Sequence, residues 1–484
     1  MRQRRCRGHA LAGRTGHRNA GQLMGARLVV VGGGISGLTT AYRLQQALPD
    51  ATITLIEGDD RLGGKIKSST FAGVEGLDEG ADAFLTRVPS AMNLIAELGL
   101  TAQLTSPAIG AAYVWWNGMH SIPEGLMLGV PTDLAKLART DLLTWGGKLR
   151  AALEPILPGT GVGADSVGRL IRKRFGKQVH ERLVDPLVGS IYAADTDRFA
   201  LTGVPQIFDL ANNNRSLLLG ARAARRKAPP PSGPIFAAPR TGMATLTDAL
   251  ASSLRTSGVT LRTGQPVQSI ERSATGWLVD GEVADAVVLA TPARTTAPLL
   301  NALSADAANV LAKFDHAGVV MVTVALPGDS WPAEFRQRSG YLVPKPVQKW
   351  VTAASFASSK WAHWQPVAPD NGVILRISLG RDGRDVTDQS DDALTRAALD
   401  EVSRHVGFEL QPTEIRLGRW PMAFPQYRPG HAVRVAAIES ALARDAAGIF
   451  VTGASYHGMG IPACVQQANS AAQLVAKFVA NVRN

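Results

Sequence analysis

The stretch GGGISG, residues 32–37, has the residue types and the spacing of a phosphate-binding turn, and Glu57 follows 20 residues after its last glycine. Glycines permit a tight turn, and they let backbone N–H groups at the beginning of a helix approach a pyrophosphate. A carboxylate at Glu57 can accept hydrogen bonds from the hydroxyls of a ribose. The pattern therefore predicts a dinucleotide site. Its predicted contacts in this turn are Gly32, Gly34, Ile35, Ser36 and Gly37.

The elements around the turn fit this interpretation. Residues 28–31 are a continuous apolar run, which is typical of a strand in a parallel sheet covered on both faces. Residues 38–48 have helical spacing, and 52–56 form a second apolar run that ends at Glu57. The alternative, a purely structural turn between strand and helix, does not account for the acid at that position.

A second glycine pair follows directly, in the stretch RLGGK, residues 61–65. An R-x-G-G-K sequence after the ribose acid resembles the FAD-containing amine oxidases and porphyrinogen oxidases. That resemblance implies FAD, with the backbone of the second pair passing along the diphosphate and the basic residues close to it. It also implies that DAVVLATP, residues 285–292, is a strand returning to the FAD domain, and that Val267 holds the adenine through its backbone. The residues implied in the second loop are Arg61, Gly63, Gly64 and Lys65.

Further blocks narrow the resemblance to the oxygen-dependent protoporphyrinogen/coproporphyrinogen oxidase family, from about residue 27 onward. The blocks are 165–200, GADAFL (80–85), NGMHSIPEG (117–125), RTGMATLTDAL (240–250), RWPMAFPQYRPGH (419–431) and TGASYHGMGIPACV (452–465). Glycines and a proline in the last block predict a strand, a turn and a helix from about residue 463. The resemblance implies further FAD contacts at Gly80, Ala81, Trp420, Gly453, Met459, Gly460 and Ile461.

The resemblance and the element pattern together predict an α/β fold. It has a discontinuous Rossmann-type FAD-binding domain, a mixed-sheet substrate domain and an inserted helical domain. The predicted FAD-binding domain comprises 27–90, 235–300 and 415–484. The substrate-binding domain comprises 91–120 and 301–414, and the helical domain, which could associate with a membrane, comprises 121–225.

For activity, the resemblance implies oxidation of a porphyrinogen to a porphyrin in heme synthesis. Six electrons leave in three two-electron steps, with O2 as acceptor and H2O2 as product. Relatives that act on protoporphyrinogen IX in eukaryotes carry an arginine shortly before the block at 117–125, and residues 111–116 contain none. This departure favours coproporphyrinogen III as substrate, with protoporphyrinogen IX as the alternative. An FAD amine oxidase, a carotenoid desaturase and a non-catalytic relative that has lost the flavin are more remote alternatives.

Two residues are candidates for contact with the substrate. Arg87, just after GADAFL, could bind a propionate, although a surface arginine is an equal alternative. His457, in the last glycine-rich block, is a weak candidate for a catalytic base, and otherwise the catalytic residue is unknown because the flavin accepts the hydride.

The net charge of +11 is concentrated at one end, since residues 1–27 contain seven arginines and no acid. Without them the net charge falls to +4, which argues against a nucleic-acid partner. Residues 1–26 are predicted to be a disordered basic arm or a start-site artefact. Two cysteines and scattered histidines provide no metal site, and they fit a cytoplasmic protein, with peripheral membrane contact as an option. A ferrochelatase is the expected next enzyme.

Overall fold

The computed structural model describes residues 25–157, 166–227, 233–366 and 372–483. All but the last two residues of the predicted basic arm, 1–26, lie outside this part of the chain.

Strands and helices alternate along the described residues. The strands are β1 Arg27–Val31, β2 Thr52–Ile56, β3 Ser68–Phe71, β4 Val74–Asp78, β5 Phe84–Leu85, β6 Leu104–Thr105, β7 Ala112–Trp115, β8 Met119–Ser121, β9 Leu126–Met127, β10 Val130–Pro131, β11 Phe236–Pro239, β12 Thr260–Arg262, β13 Ile270–Ser273, β14 Gly276–Val279, β15 Glu282–Ala284, β16 Ala286–Leu289, β17 His316–Leu326, β18 Gly340–Leu342, β19 Val351–Phe356, β20 Val373–Leu379, β21 Glu414–Pro425 and β22 Ile449–Val451. The helices are α1 Ile35–Ala47, α2 Pro89–Glu97, α3 Leu134–Ala138, α4 Trp145–Ala152, α5 Val167–Phe175, α6 Lys177–Val179, α7 Asp185–Tyr192, α8 Pro205–Asn213, α9 Leu217–Lys227, α10 Ala244–Thr256, α11 Ala293–Leu300, α12 Ala305–Leu311, α13 Ala357–Lys360, α14 Asp391–Val406, α15 His431–Asp445 and α16 Ile461–Arg483.

A five-stranded parallel sheet, in the order β12-β2-β1-β16-β22, forms the base of the molecule. Its central strand is buried on both faces, and Val30 pairs with Leu55 on one side and Val288 on the other. Residues of α1, α10 and α16 pack on one face, and residues of α11, α12 and α15 pack on the other. Because all five strands run the same way, their carboxyl ends and the turns that follow lie along one edge.

A seven-stranded mixed sheet, in the order β21-β17-β20-β19-β18-β7-β8, stands beyond this base. Only the β18–β7 pair is parallel. One face packs against α14 in a core of apolar side chains. Between β10 and β11 the chain forms the helices α3 to α9, which share a separate apolar core. A parallel base, a mixed sheet and an inserted helical region confirm the predicted α/β fold class.

Asp78, the last residue of β4, is a fully buried carboxyl group. Its Oδ1 accepts hydrogen bonds from the Met243 N–H at 2.8 Å and the Ser68 hydroxyl at 2.5 Å. Its Oδ2 is buried and has no hydrogen-bond donor among the described residues. Loss of solvation raises the pKa of Asp78 from 3.8 to about 7, because the buried site disfavours the charged form.

From the raised pKa of Asp78 we predict that the free energy of unfolding depends on pH. Protonated Asp78 contributes fully to the stability of the folded protein below pH about 4, and this contribution is lost as pH rises through about 7. The reason is that Asp78 ionises at a lower pH in the unfolded chain than in the folded protein. The difference between the two pKa values corresponds to about 4 kcal/mol of folding free energy. Asp78→Asn keeps an acceptor for Met243 and removes the titration. We therefore expect the free energy of unfolding of Asp78→Asn, relative to wild type, to rise between pH 5 and pH 8, as measured by denaturant titration.

Asp185→Asn is the matched control for this prediction. The guanidinium of Arg381 lies 3.0 Å from the Asp185 carboxylate and contributes to a lowered pKa despite its burial. Asp185→Asn should therefore destabilise the protein at both pH values. An unchanged difference between Asp78→Asn and wild type across this range would contradict the prediction.

Candidate functional site

The turn after β1 opens the edge of the parallel sheet. Gly32 has φ +107° and donates its N–H to the Ile56 carbonyl at 2.7 Å. A Cβ on Gly37 would lie 1.8 Å from the Gly32 carbonyl oxygen, so α1 can pack this closely only with glycine there. A Cβ on Gly34, by contrast, would meet no atom within 4 Å. The beginning of α1 therefore borders open space at Gly34, while Ile35 is half-buried and Ser36 is buried.

Glu57 closes one side of this space at the end of β2. One carboxylate oxygen accepts the Gly33 N–H at 2.5 Å, and the other accepts the Asp59 N–H at 2.9 Å. The Gln265 N–H donates to the Glu57 carbonyl at 3.0 Å and so holds the loop from β12 to β13 alongside. Val267 lies in that loop and is half-buried.

The second glycine pair lies against the first turn. Gly63 pairs with Gly34 in a parallel bridge and donates its N–H to the Gly33 carbonyl at 2.9 Å. Gly63 and Gly64 have φ +101° and +57°, which explains why glycines stand there. The Arg61 guanidinium donates to the carbonyls of Leu62, Ile66 and Gly64, so it shapes this loop from within.

Lys65 lies directly after the second glycine pair. Its side chain is accessible to solvent, yet surrounding protein desolvates its ammonium group enough to lower the pKa to about 8. The ammonium donates to the Ala423 carbonyl, and the Cys464 thiol and the Arg294 guanidinium are its electrostatic neighbours.

A third turn, formed by residues 79–82, is held by side chains of the mixed sheet. Arg376 of β20 donates to the Gly80 carbonyl at 2.6 Å, and it lies 3.2 Å from the Asp82 carboxylate. The indole N–H of Trp420, on β21, donates to the Glu79 carbonyl at 3.2 Å. A Cβ on Gly80 would lie 2.7 Å from the Lys65 carbonyl oxygen, so Gly80 and Ala81 pass directly beside the second glycine pair.

The C-terminal turn joins β22 to α16 at the same edge. Gly453 and Gly458 have φ +116° and +132°, and a Cβ on Gly453 would lie 3.6 Å from the Ser36 hydroxyl. Met459 packs against the core of the helical region. This turn, with Gly460 and Ile461 at its end, therefore lies between the beginning of α1 and the inserted helices.

The two candidate substrate residues lie at exposed positions. Arg87 is in the loop between β5 and α2, and its guanidinium has no ion pair with a described residue. The His457 ring is half exposed, and its Nε2 lies 2.7 Å from a carboxylate oxygen of Glu439 on α15. The structure therefore directs the His457 ring towards α15.

Sequence reasoning missed Arg376, Lys360 and Asp82, which form a partly buried ion cluster at the end of the third turn. Both cations help to lower the pKa of Asp82 well below its usual range, despite desolvation. One signal was available: Arg376 interrupts VILRISL, an otherwise apolar and buried strand. A buried arginine needs a carboxylate or carbonyl partner.

A flavin dinucleotide fits these residues. The open space at Gly34 and the free helix N-terminus suit a diphosphate, and the Glu57 carboxylate suits a ribose. Lys65 supplies a cation next to the second glycine pair. The Thr452 hydroxyl is buried without a partner among the described residues, and it lies at the beginning of the C-terminal turn.

Gly34 gives a prediction that separates binding from folding. Gly34→Ala should leave the thermal midpoint of the flavin-free protein within about 2 °C of wild type, since its φ of −74° suits alanine and no atom is in contact. It should weaken FAD binding about 10- to 100-fold, because overpacking costs about 1–3 kcal/mol. Gly37→Ala is the control and should unfold the turn. FAD binding that is unchanged in Gly34→Ala would place the diphosphate elsewhere.

Known proteins match nearly the whole chain. The model of the flavin containing amine oxidoreductases matches residues 35–476. A protein of Bacillus subtilis (strain 168) named coproporphyrinogen III oxidase is 31% identical over 92% of this chain and 96% of its own length. A protein of the same name from Mycobacterium bovis is 36% identical over 91% and 95%, respectively.

A solved structure shares the architecture. The crystal structure of a putative protoporphyrinogen oxidase from an Exiguobacterium species superimposes with a TM-score of 0.83 at 29% identity, covering 93% of this chain and 99% of that one. Together with the match over residues 35–476, this shows that the chain belongs to the family of flavin-containing amine oxidoreductases.

Proposed function

We propose that the protein oxidises coproporphyrinogen III to coproporphyrin III with bound FAD. The observation that carries the proposal is the similarity, over nine-tenths of the chain, to bacterial proteins named coproporphyrinogen III oxidase. The open space at Gly34 and the cation of Lys65 support it, because they suit the diphosphate of a dinucleotide cofactor and a carboxylate of the substrate.

When bound, the flavin supplies a two-electron acceptor, and three such transfers account for the six electrons that separate a porphyrinogen from a porphyrin. The final acceptor is O2, which leaves as H2O2. The residues that would hold FAD are those of the four turns, with Glu57 at the ribose and Val267 beside the adenine.

The chain's own residues bind and orient the substrate. Ala193, Val319, Trp420 and Phe424 belong to one apolar group where the helical region meets the mixed sheet, which suits a flat tetrapyrrole. Tyr192, the neighbour of Ala193 in the chain, packs against the helical core.

Cations next to this apolar group suit propionate carboxylates. Lys65 and Arg294 are electrostatic neighbours, and each donates to a carbonyl of β21. A tetracarboxylate substrate offers such cations more partners than a dicarboxylate does. Arg87 remains a predicted propionate contact, and no residue is assigned as a base.

The proposal includes the predicted three-part division. The FAD-binding part comprises 27–90, 235–300 and 415–484, the substrate part comprises 91–120 and 301–414, and the helical part comprises 121–225. The helices and one face of the mixed sheet have apolar cores of their own, which supports it. Leu94 and Ala325 of the substrate part share the core of the parallel base.

We also propose a cytoplasmic protein that contacts membranes peripherally and passes its product to a ferrochelatase. None of the helices in the described residues is long and apolar enough to cross a bilayer. Trp145 and Leu149 of α4 and Ile156 just after it are exposed to solvent, with exposed fractions of 79%, 65% and 72%, respectively. The Lys148 ammonium lies over the Trp145 ring. Exposed aromatic and aliphatic side chains with neighbouring cations suit the surface of an anionic bilayer.

The substrate is tested with both porphyrinogens. Each is prepared anaerobically, and porphyrin fluorescence is followed after air and FAD-loaded protein are added. Coproporphyrinogen III should be oxidised at least about 10-fold faster, with H2O2 released, as each lost carboxylate contact is worth about 1.5–3 kcal/mol. Gly34→Ala is the flavin-depleted control. Faster oxidation of protoporphyrinogen IX would contradict the proposed substrate.

The membrane contact is tested by replacing Trp145 and Leu149 with serine. Co-sedimentation with anionic phosphatidylserine vesicles should fall at least 10-fold, because each apolar side chain contributes about 1.5–3 kcal/mol on burial. Val433→Ser, at a 74%-exposed position on α15, is the matched control. Equal sedimentation of all three proteins would refute this contact surface.

A further inference from the structure

The phenol of Tyr427 lies between the two arms of the C-terminal turn. Its hydroxyl donates to the Ala454 carbonyl at 2.5 Å and accepts the Gly458 N–H at 3.0 Å. The side chain is buried, and desolvation raises the pKa of Tyr427 far above its usual value. The hydroxyl therefore keeps the proton that it donates, and one oxygen atom joins residues on both sides of the turn.

The ring of Tyr427 is fixed on both faces. It stacks on Phe199 of the helical region at 5.7 Å between centroids and on His431 at 4.0 Å. A Cβ on Gly203 would lie 3.0 Å from the ring, so the glycine there leaves room for it. The Ala200 N–H donates to the Tyr427 carbonyl at 2.6 Å, which anchors the backbone as well.

Two further side chains hold the same turn. His431 Nε2 donates to the Tyr456 carbonyl at 2.9 Å, and burial lowers the pKa of His431 to about 4, so the ring is neutral near pH 7. Gln467 of α16 accepts the His457 N–H at 3.0 Å and donates to the Gly458 carbonyl at 2.8 Å. A turn with two glycines at positive φ has little rigidity of its own, so these partners set its shape.

We propose that Tyr427 is a positioning residue for the flavin: its hydroxyl fixes the C-terminal turn next to the cofactor and thereby sets flavin affinity and midpoint potential. The inference rests on the proposed flavin oxidase function and deepens it. The Tyr427 hydroxyl contacts the turn, so it acts through the backbone N–H groups at the beginning of α16. Those groups favour negative charge next to them.

Tyr427→Phe tests the proposal, because it keeps the stacked ring and removes both hydrogen bonds. Hydrogen–deuterium exchange of the flavin-free protein should show faster exchange in the peptide containing Gly458. FAD should bind about 5- to 30-fold more weakly, which is the loss expected from the net free energy of one or two hydrogen bonds. The midpoint potential of the bound flavin should become more negative. Gln467→Met removes two hydrogen bonds from the other side of the turn and should shift all three measurements in the same direction.

Tyr341→Phe is the matched control. The Tyr341 hydroxyl is also buried, and it lies 3.0 Å from His405 Nδ1 in the mixed sheet. This variant should lower the thermal midpoint without changing exchange at Gly458, FAD affinity or potential. Unchanged exchange and potential in Tyr427→Phe, or equal shifts in Tyr341→Phe, would overturn the proposal. None of these measurements uses a porphyrinogen, so a protein inactive on both porphyrinogens would refute the substrate and leave this test intact.

Discussion

In the proposed flavin site, backbone without side chains lies next to the cofactor along several turns, and such turns cannot hold themselves in place. Glycines at positive φ allow the approach at Gly63, Gly64 and Gly453, but they remove the side chains that would fix the loop. The remaining structure compensates with partners from elsewhere. Arg376 and Trp420 hold the turn at 79–82, and Tyr427 holds the C-terminal turn.

Parallel strand pairing brings these turns together. β1 pairs with β2 and β16, and β16 pairs with β22, so turns separated by about 400 residues begin at the same edge. A Cβ on Gly453 would lie within 4 Å of Ser36, which shows how closely the first and last turns meet. Side chains of the mixed sheet contact the turn at 79–82, and Met459 packs against the helical core.

Local patterns in the sequence, together with the family resemblance, were sufficient for the fold class. The apolar run at 28–31 predicts a strand, the glycines at 32–37 predict a turn, and the run that ends at Glu57 predicts a second strand. These predictions succeed because each element is determined by residues that are neighbours in the sequence. Element ends were less accurate: α16 begins at Ile461 rather than about residue 463, since a proline is well tolerated in the first turn of a helix.

Contacts between distant residues could not be predicted in the same way. Arg376 meets Gly80 across 296 positions, and Tyr427 meets Ala454 through a hydroxyl whose direction no periodicity reveals. The direction of the His457 side chain was likewise not predictable from the sequence. The sequence placed His457 in a glycine-rich turn, but the direction of its ring depends on Glu439, which belongs to α15.

The position of α16 has a consequence for biosynthesis. This helix packs along α1, and both contribute to one apolar core. During translation α1 emerges more than 400 residues before α16, so the face that α1 will bury stays uncovered until nearly all of the described chain has been made. The proposed flavin site is therefore complete only after synthesis of the intervening sheet and helices, and we expect flavin incorporation in the late stages of folding.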